Sequence, residues 1–219
     1  MVGIGPVKVL FGARRWFYRL DVEPQRQPTS IDVIASALEP VMPGLGRLSS
    51  PDGAITLMLG DIADASIVAE QLGPERWEQL LRDQHTLIEH LVSHYNGELL
   101  KFERDGFFAS FNSAHAGLYA AVELQKTFAE PAGGDDHAVA LRIGLHSGFV
   151  IANPDQPLGR NVVLASRIAA RASGGEILVS SALKEYTERD PNFHFELDGE
   201  YHFKGVLGEH TVFAVRSPA

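Results

Sequence analysis

Hydrophobic positions divide the chain into two unlike parts, with a change near residue 53. Beyond it, apolar runs alternate with turn residues at strand and helix spacing. AITLMLGD, residues 54–61, is a nearly continuous apolar run bounded by Gly53 and Asp61, the pattern of a strand buried on both faces. Helices are predicted over 65–71 and 74–96. In the second, Trp77, Leu80, Leu81, Leu87, Ile88, Leu91, Val92 and Tyr95 recur at helical spacing, Pro74 suits the first turn, and Asn96-Gly97 closes it. ELLKFERDGFFASF, residues 98–111, reads as two strands joined by a tight turn at Asp105-Gly106, residue types that tolerate the positive φ such turns need. A helix over 113–128 and a Gly- and Asp-rich loop over 130–137 follow. Strands are predicted at 139–145 and 148–151, joined at His146-Ser147. After them come a helix over 160–172, a strand at 176–180, a helix at 182–189 and closing strands at 193–197, 200–203 and 211–215.

The core order β-α-β-β-α-β predicts an α+β fold, a ferredoxin-like core with appended strands and helices. Residues 54–219 are expected to form that domain and residues 1–53 an N-terminal extension. Lys8, Arg14, Arg15, Arg19 and Arg26 lie among Val9, Leu10, Phe11, Trp16, Phe17 and Leu20. Such a basic, aromatic segment (residues 1–26) suits either contact with an anionic membrane surface or a short helix packed on the domain or on a partner subunit. Pro6 and Lys8 interrupt the first apolar run, so it does not read as a signal peptide. Between Glu23 and Pro51 the chain reads as a proline-rich linker carrying one short helix, SIDVIASAL at 30–38, with Ser30 as its N-cap.

Composition narrows the function. Twenty-eight acidic against nineteen basic residues give a net charge of −9, which argues against general nucleic-acid binding. An anionic substrate would need cations or a metal placed locally. With no cysteine, disulfides, thiolate metal sites and cysteine nucleophiles are excluded. No apolar run reaches the roughly 18 residues of a membrane span, and a cytoplasmic protein, with or without membrane-surface contact, is expected. His85, His90 and His94 share one helix but read as scattered solvent-face residues.

The topology supplies the candidate chemistry. Asp105 alone is a turn former. In a β-α-β-β-α-β sheet, however, the strand ending at Asp61 lies beside the hairpin, so the two carboxylates converge near the Ile62 carbonyl. Two carboxylates and a carbonyl suit a hard cation such as Mg²⁺ or Mn²⁺, which binds substrate phosphates and supports in-line attack at phosphorus.

Five stretches in order, ITLMLGDIADAS, ELLKFERDGFFASF, LRIGLHSGFV, LGRNVVLASRIAARASGGEILVSS and YHFKG followed by TVFAV, resemble the catalytic domain of class III nucleotidyl cyclases over about residues 54–215. The resemblance implies conversion of a nucleoside triphosphate, ATP by default, to a 3′,5′-cyclic mononucleotide and pyrophosphate. It also implies two divalent cations and a head-to-tail homodimer whose active sites take residues from both copies. Asp61 and Asp105 match the metal-binding aspartates, with Ile62 as backbone ligand. Lys101 matches the base-reading lysine, Arg167 the arginine that stabilises phosphate charge in the transition state, and Lys204 a phosphate-contacting lysine.

Departures are equally specific. Val163 stands where the family usually has Asn, four residues before Arg167. Asn161 lies about 240° around the helix from Arg167, whereas Arg160, seven residues before it, shares its face. Gln156 replaces a base-reading Asp, and Arg104 replaces the Gly before the second metal aspartate, from where it could pair with Asp105 or contact nucleotide. An amide at 156 leaves GTP, CTP or UTP open as substrates. The departures also suit a degenerate domain that binds nucleotide as a regulatory or dimerisation module, or a heterodimer whose partner supplies the missing Asn.

Overall fold

The computed structural model describes residues 29–38, 49–50, 53–129, 139–149 and 159–216. The basic segment at 1–26, the rest of the proline-rich linker and Gln156 lie outside the described residues. A seven-stranded sheet organises the chain. Strand β1 (Ala54–Ile62) is followed by helices α2 (Ala65–Leu72) and α3 (Pro74–His94), the hairpin β2 (Gly97–Glu103) and β3 (Gly106–Phe111), and α4 (Ala114–Ala129). Then come β4 (Leu141–Phe149), α5 (Gly159–Ala169), β5 (Ile177–Ser180), α6 (Ser181–Thr187), β6 (His194–Tyr201) and β7 (His210–Arg216). A short helix, α1 (Ser30–Leu38), precedes them all.

Strand order is β2-β3-β1-β4-β5-β7-β6. The first four strands are antiparallel neighbours, the arrangement expected of a ferredoxin-like core, and β5 joins β4 in parallel. Because strand side chains alternate, the two faces carry separate cores. Met58, Ile62, Phe107, Ala109, Phe111, Leu141, Ile143 and Leu145 face α3 and α4. Ile55, Leu57, Leu59 and Phe108 face the other way and cluster with Val162, Ala165 and Ala169 of α5 and with Ile31 and Ile34 of α1. The residues of the linker helix are therefore part of this second core, and both isoleucines are fully buried.

Three local readings are corrected. Ser30 is not the N-cap of α1: the Thr29 hydroxyl accepts from the Asp32 amide at 3.4 Å while the Asp32 carboxylate accepts from the Thr29 amide at 3.0 Å, a reciprocal capping box. The polar pair His146-Ser147 does not break the strand, because Ser147 bonds across the sheet to Thr56 at 2.8 Å and His146 bonds to Ser180 at 2.9 Å. Asp198-Gly199 is a register shift within a continuous β6 rather than a turn between two strands.

Helix α5 approaches the sheet at Gly144, where a Cβ would lie 2.2 Å from the backbone nitrogen of Ala169. Gly144→Ala is therefore expected to push α5 off β4 and destabilise the domain by about 3 kcal/mol. Urea unfolding measures this; a loss below about 0.5 kcal/mol, the range of neutral surface changes, would contradict the packing described.

Candidate active site

The site lies on the α1/α5 face, where β1 ends beside the hairpin tip. Gly60 pairs with Phe107, so Asp61 continues opposite Gly106, next to Asp105. Asp61 shares its face with Leu57 and Leu59 and is 1% exposed; Asp105 is 7% exposed. Lys101 pairs with Phe108 and so projects to the same face, where its ammonium lies 3.8 Å from Glu103. The hairpin turns through Arg104-Asp105, one residue earlier than the sequence predicts, since Glu103 pairs with Gly106. Arg104 takes the strained position at φ 58°, which explains why glycine suits it, and its side chain is exposed.

Both carboxylates are held. Arg142 lies directly across β4 from Asp61 and grips it with both arms, Nε donating to Oδ1 at 2.8 Å and Nη2 to Oδ2 at 2.6 Å. This buried fork engages both carboxylate oxygens through charge-assisted hydrogen bonds. Asp105 accepts from the Ser30 hydroxyl of α1 at 2.5 Å, and its carbonyl accepts from the buried Gln84 amide of α3 at 3.1 Å. Two buried carboxylates beside the strand-end carbonyl of Ile62 form an all-oxygen set that fits Mg²⁺ or Mn²⁺, ions that keep several waters and share substrate phosphates. Among the described residues no group of three or more His, Cys, Asp or Glu side chains is arranged for a metal, so any ion here needs backbone, water or phosphate ligands as well.

Helix α5 brings the remaining candidates. Arg167 donates from Nε to the Lys204 carbonyl at 3.3 Å, and its Nη1 lies 3.6 Å from Asp32 of α1. Arg160 reaches the same 203–207 turn by donating to the Leu207 carbonyl at 3.2 Å, in keeping with the shared helix face. Lys204 is exposed on that turn, and Val163, Tyr201 and Phe203 pack, partly buried, against the cluster of Leu164, Ile168 and Val206. Asn161 points elsewhere: its amide donates to the Phe149 carbonyl at 3.1 Å and its oxygen lies 3.3 Å from His146 Nε2. Sequence reasoning missed Arg142, Ser30, Asp32 and Gln84. The readable signal for Arg142 was a lone arginine in an apolar strand beside β1.

That Asn161 geometry places the His146 proton on Nε2, leaving Nδ1 to accept from Ser180. Burial lowers the His146 pKa from 6.5 to about 4, opposed by the Asn161 hydrogen bond and reinforced by nearby His210. Above pH 6.5 His146 is neutral in both folded and unfolded chains, and its full contribution to stability is present. Between 6.5 and 4 the unfolded chain binds a proton that the folded chain refuses, so stability falls by up to about 1.4 kcal/mol per pH unit, about 3 kcal/mol in all. Urea midpoints at pH 7.5 and 5 should separate more in the wild type than in His146→Gln; equal separation would remove His146 as the cause.

Comparison with known proteins places the chain in a family. Residues 49–217 match the model of the adenylate and guanylate cyclase catalytic domain. The chain belongs to that family, the class III cyclase catalytic domains. An uncharacterised Mycobacterium tuberculosis protein is 28% identical over 133 residues, covering 60% of this chain and 44% of the relative. A putative adenylate cyclase of Rhizobium meliloti is 30% identical over 129 residues, covering 58% of this chain and 21% of the relative. The chain thus spans less than half the length of these relatives. Among solved structures, the adenylyl cyclase CyaB from P. aeruginosa superposes with a TM-score of 0.65 at 20% identity, covering 76% of this chain and 95% of that one. The guanylyl cyclase Cya2 gives 0.64 at 22%, covering 76% and 93%. These two establish the fold. Among the described residues no helix is long and apolar enough to cross a membrane.

Proposed function

We propose that this domain is an active nucleotidyl cyclase. The ribose 3′ oxygen of a nucleoside triphosphate attacks the α-phosphorus, the bond from that phosphorus to the bridging oxygen breaks, pyrophosphate leaves, and the 3′ hydroxyl proton passes to solvent. The observation carrying this reading is that Asp61, Lys101 and Arg142, on three strands, lie on the α1/α5 face beside the Asp105 turn, and that Arg167 of α5 is joined to that face through Asp32 of α1. Bound at Asp61, Asp105 and the Ile62 carbonyl, divalent cations would supply phosphate charge neutralisation and polarise the attacking oxygen. Arg142, paired with Asp61, suits a triphosphate oxygen beside it; Arg167 and Lys204 would supply charge from the α5 side, with Arg160 on the same helix face. Lys101 suits contact with the base. Catalysis of this kind is mostly positioning and charge stabilisation, the work to which these groups are suited. A second copy, docked head to tail, would complete each site.

ATP is the first substrate to test, in line with the adenylate cyclase relative, with GTP, CTP and UTP beside it. Purified protein with Mn²⁺ or Mg²⁺ should release a cyclic mononucleotide from at least one of the four; no product at micromolar enzyme would defeat the proposal. A second reading is favoured by Val163 and by Asn161, whose amide is engaged by β4, since neither offers α5 a ribose-orienting amide beside Arg167. It is a domain that binds nucleotide without turnover, and calorimetric binding in the absence of product would establish it.

A further inference from the structure

Helix α1 touches the candidate site at two charged groups. The Ser30 hydroxyl donates to the Asp105 carboxylate at 2.5 Å, and the Asp32 carboxylate lies 3.6 Å from the Arg167 guanidinium. These are the partner types that metal-bound water and a phosphate oxygen would present: a hydroxyl to the carboxylate, an anionic oxygen to the guanidinium. The approach is also close. A Cβ on Gly106 would lie 2.6 Å from Ser30 Cβ, 3.2 Å from Ile34 Cδ1 and 3.3 Å from the Ser30 carbonyl carbon. Only a glycine at the hairpin tip admits α1 so near.

The helix is suited to leaving. It has nine residues, below the length at which an isolated helix persists in water, so its helicity depends on docking. Ile31 and Ile34 anchor it in the cluster with Leu59, Phe108, Val162 and Ala165. Two of its polar ties run to site residues. Asp32 and Arg167 are both partly exposed, with side chains 37% and 29% accessible, so that tie is open to competition from solvent and from a triphosphate.

We propose that α1 is an intramolecular competitor of the substrate complex: Ser30 and Asp32 occupy Asp105 and Arg167, and a metal–triphosphate complex binds when α1 lifts from the sheet. The proposal rests on the reading of this face as a metal–nucleotide site. It makes the N-terminal extension a control element, since anything that holds the preceding segment away from the domain would favour the open form. The apparent dissociation constant is the intrinsic one divided by the fraction of chains with α1 undocked, so weakening the dock tightens binding without altering any nucleotide contact.

The test compares the full-length wild type with Ser30→Ala/Asp32→Ala, using Mn²⁺ with α,β-methylene-ATP and with its GTP counterpart, whose α–β bridge cannot be cleaved. The double variant is expected to bind the Mn²⁺ complex about tenfold more tightly by calorimetry, with a cooperative melt confirming its fold. In wild type, hydrogen exchange of the 30–38 amides should accelerate when the complex binds, a readout that needs no substitution. Equal or weaker affinity in the variant, binding by neither protein, or slower exchange of α1 on ligand addition would each overturn the proposal; weaker affinity or slower exchange would place α1 as a support of the site. A turnover assay on both proteins keeps the two readings apart. Tighter binding with no product from either leaves the competitor in place and removes the cyclase reading; product from wild type with unchanged affinity does the reverse.

Discussion

Asp61→Ala is expected to lower turnover on the order of 10³-fold and to destabilise the domain by about 3–5 kcal/mol. The two losses have different origins. Stability falls because Arg142, 7% exposed, would keep its buried charge after its carboxylate partner is removed, and breaking one side of such a pair costs more than the pair itself contributes. Turnover falls because the strand-end carboxylate proposed to hold the cation is gone. Asp61→Asn separates them: the shape is kept and one oxygen still accepts from Arg142, so its melt should lie closer to wild type while turnover stays lost. Mn²⁺ at about 100 times its dissociation constant should stabilise wild type by about 2.7 kcal/mol and neither variant. More than a tenth of wild-type turnover in Asp61→Asn would sink the metal role assigned to this carboxylate.

The pairing of Asp61 with the Asp105 hairpin was legible because it follows from local patterns. The length and bounding residues of AITLMLGD favour a strand, Asp105-Gly106 marks a hairpin, and the β-α-β-β-α-β order sets the two side by side. What escaped depends on contacts between distant segments. Arg142 stands in plain view in VALRIGL, but its meaning comes from the register that sets it opposite Asp61, 81 residues away. His146-Ser147 reads as a break only while their partners, Thr56, Ser180 and Asn161, are unknown; once paired across the sheet, two polar residues sit in a buried strand without penalty. The capping box of α1 was readable, since Thr29 and Asp32 have the required spacing, and it would have freed Ser30 for another role. Which role could not be read, because Ser30 meets Asp105 across 75 residues of chain. The same limit applies to the linker: two buried isoleucines turn a proline-flanked helix into part of the second core, and nothing in the spacing of SIDVIASAL says which surface they will meet.

Arg167→Ala is expected to lower kcat by about 10²–10³-fold with little change in KM, which distinguishes it from every substitution on α1. Charge on the phosphates grows as the bond to the leaving pyrophosphate lengthens, so a guanidinium aimed there contributes most in the transition state and less to ground-state binding. The contacts of the resting chain sharpen the expectation. Arg167 bonds to the Lys204 carbonyl and pairs with Asp32, so the substitution also removes one tie holding α1 over the hairpin. Easier undocking offsets whatever binding is lost with the cation, and KM should therefore stay within a few fold while kcat collapses. Stability should change by less than about 1 kcal/mol, because the ion pair is partly exposed and screened. Arg167→Lys should recover only part of the rate, since an ammonium lacks the planar fork and its reach across to a developing anion. Steady-state kinetics on the substrate found in the four-nucleotide assay decide the matter. A raised KM with unchanged kcat would make Arg167 a general phosphate anchor and transfer the transition-state role to Arg142, which faces the same site from β4.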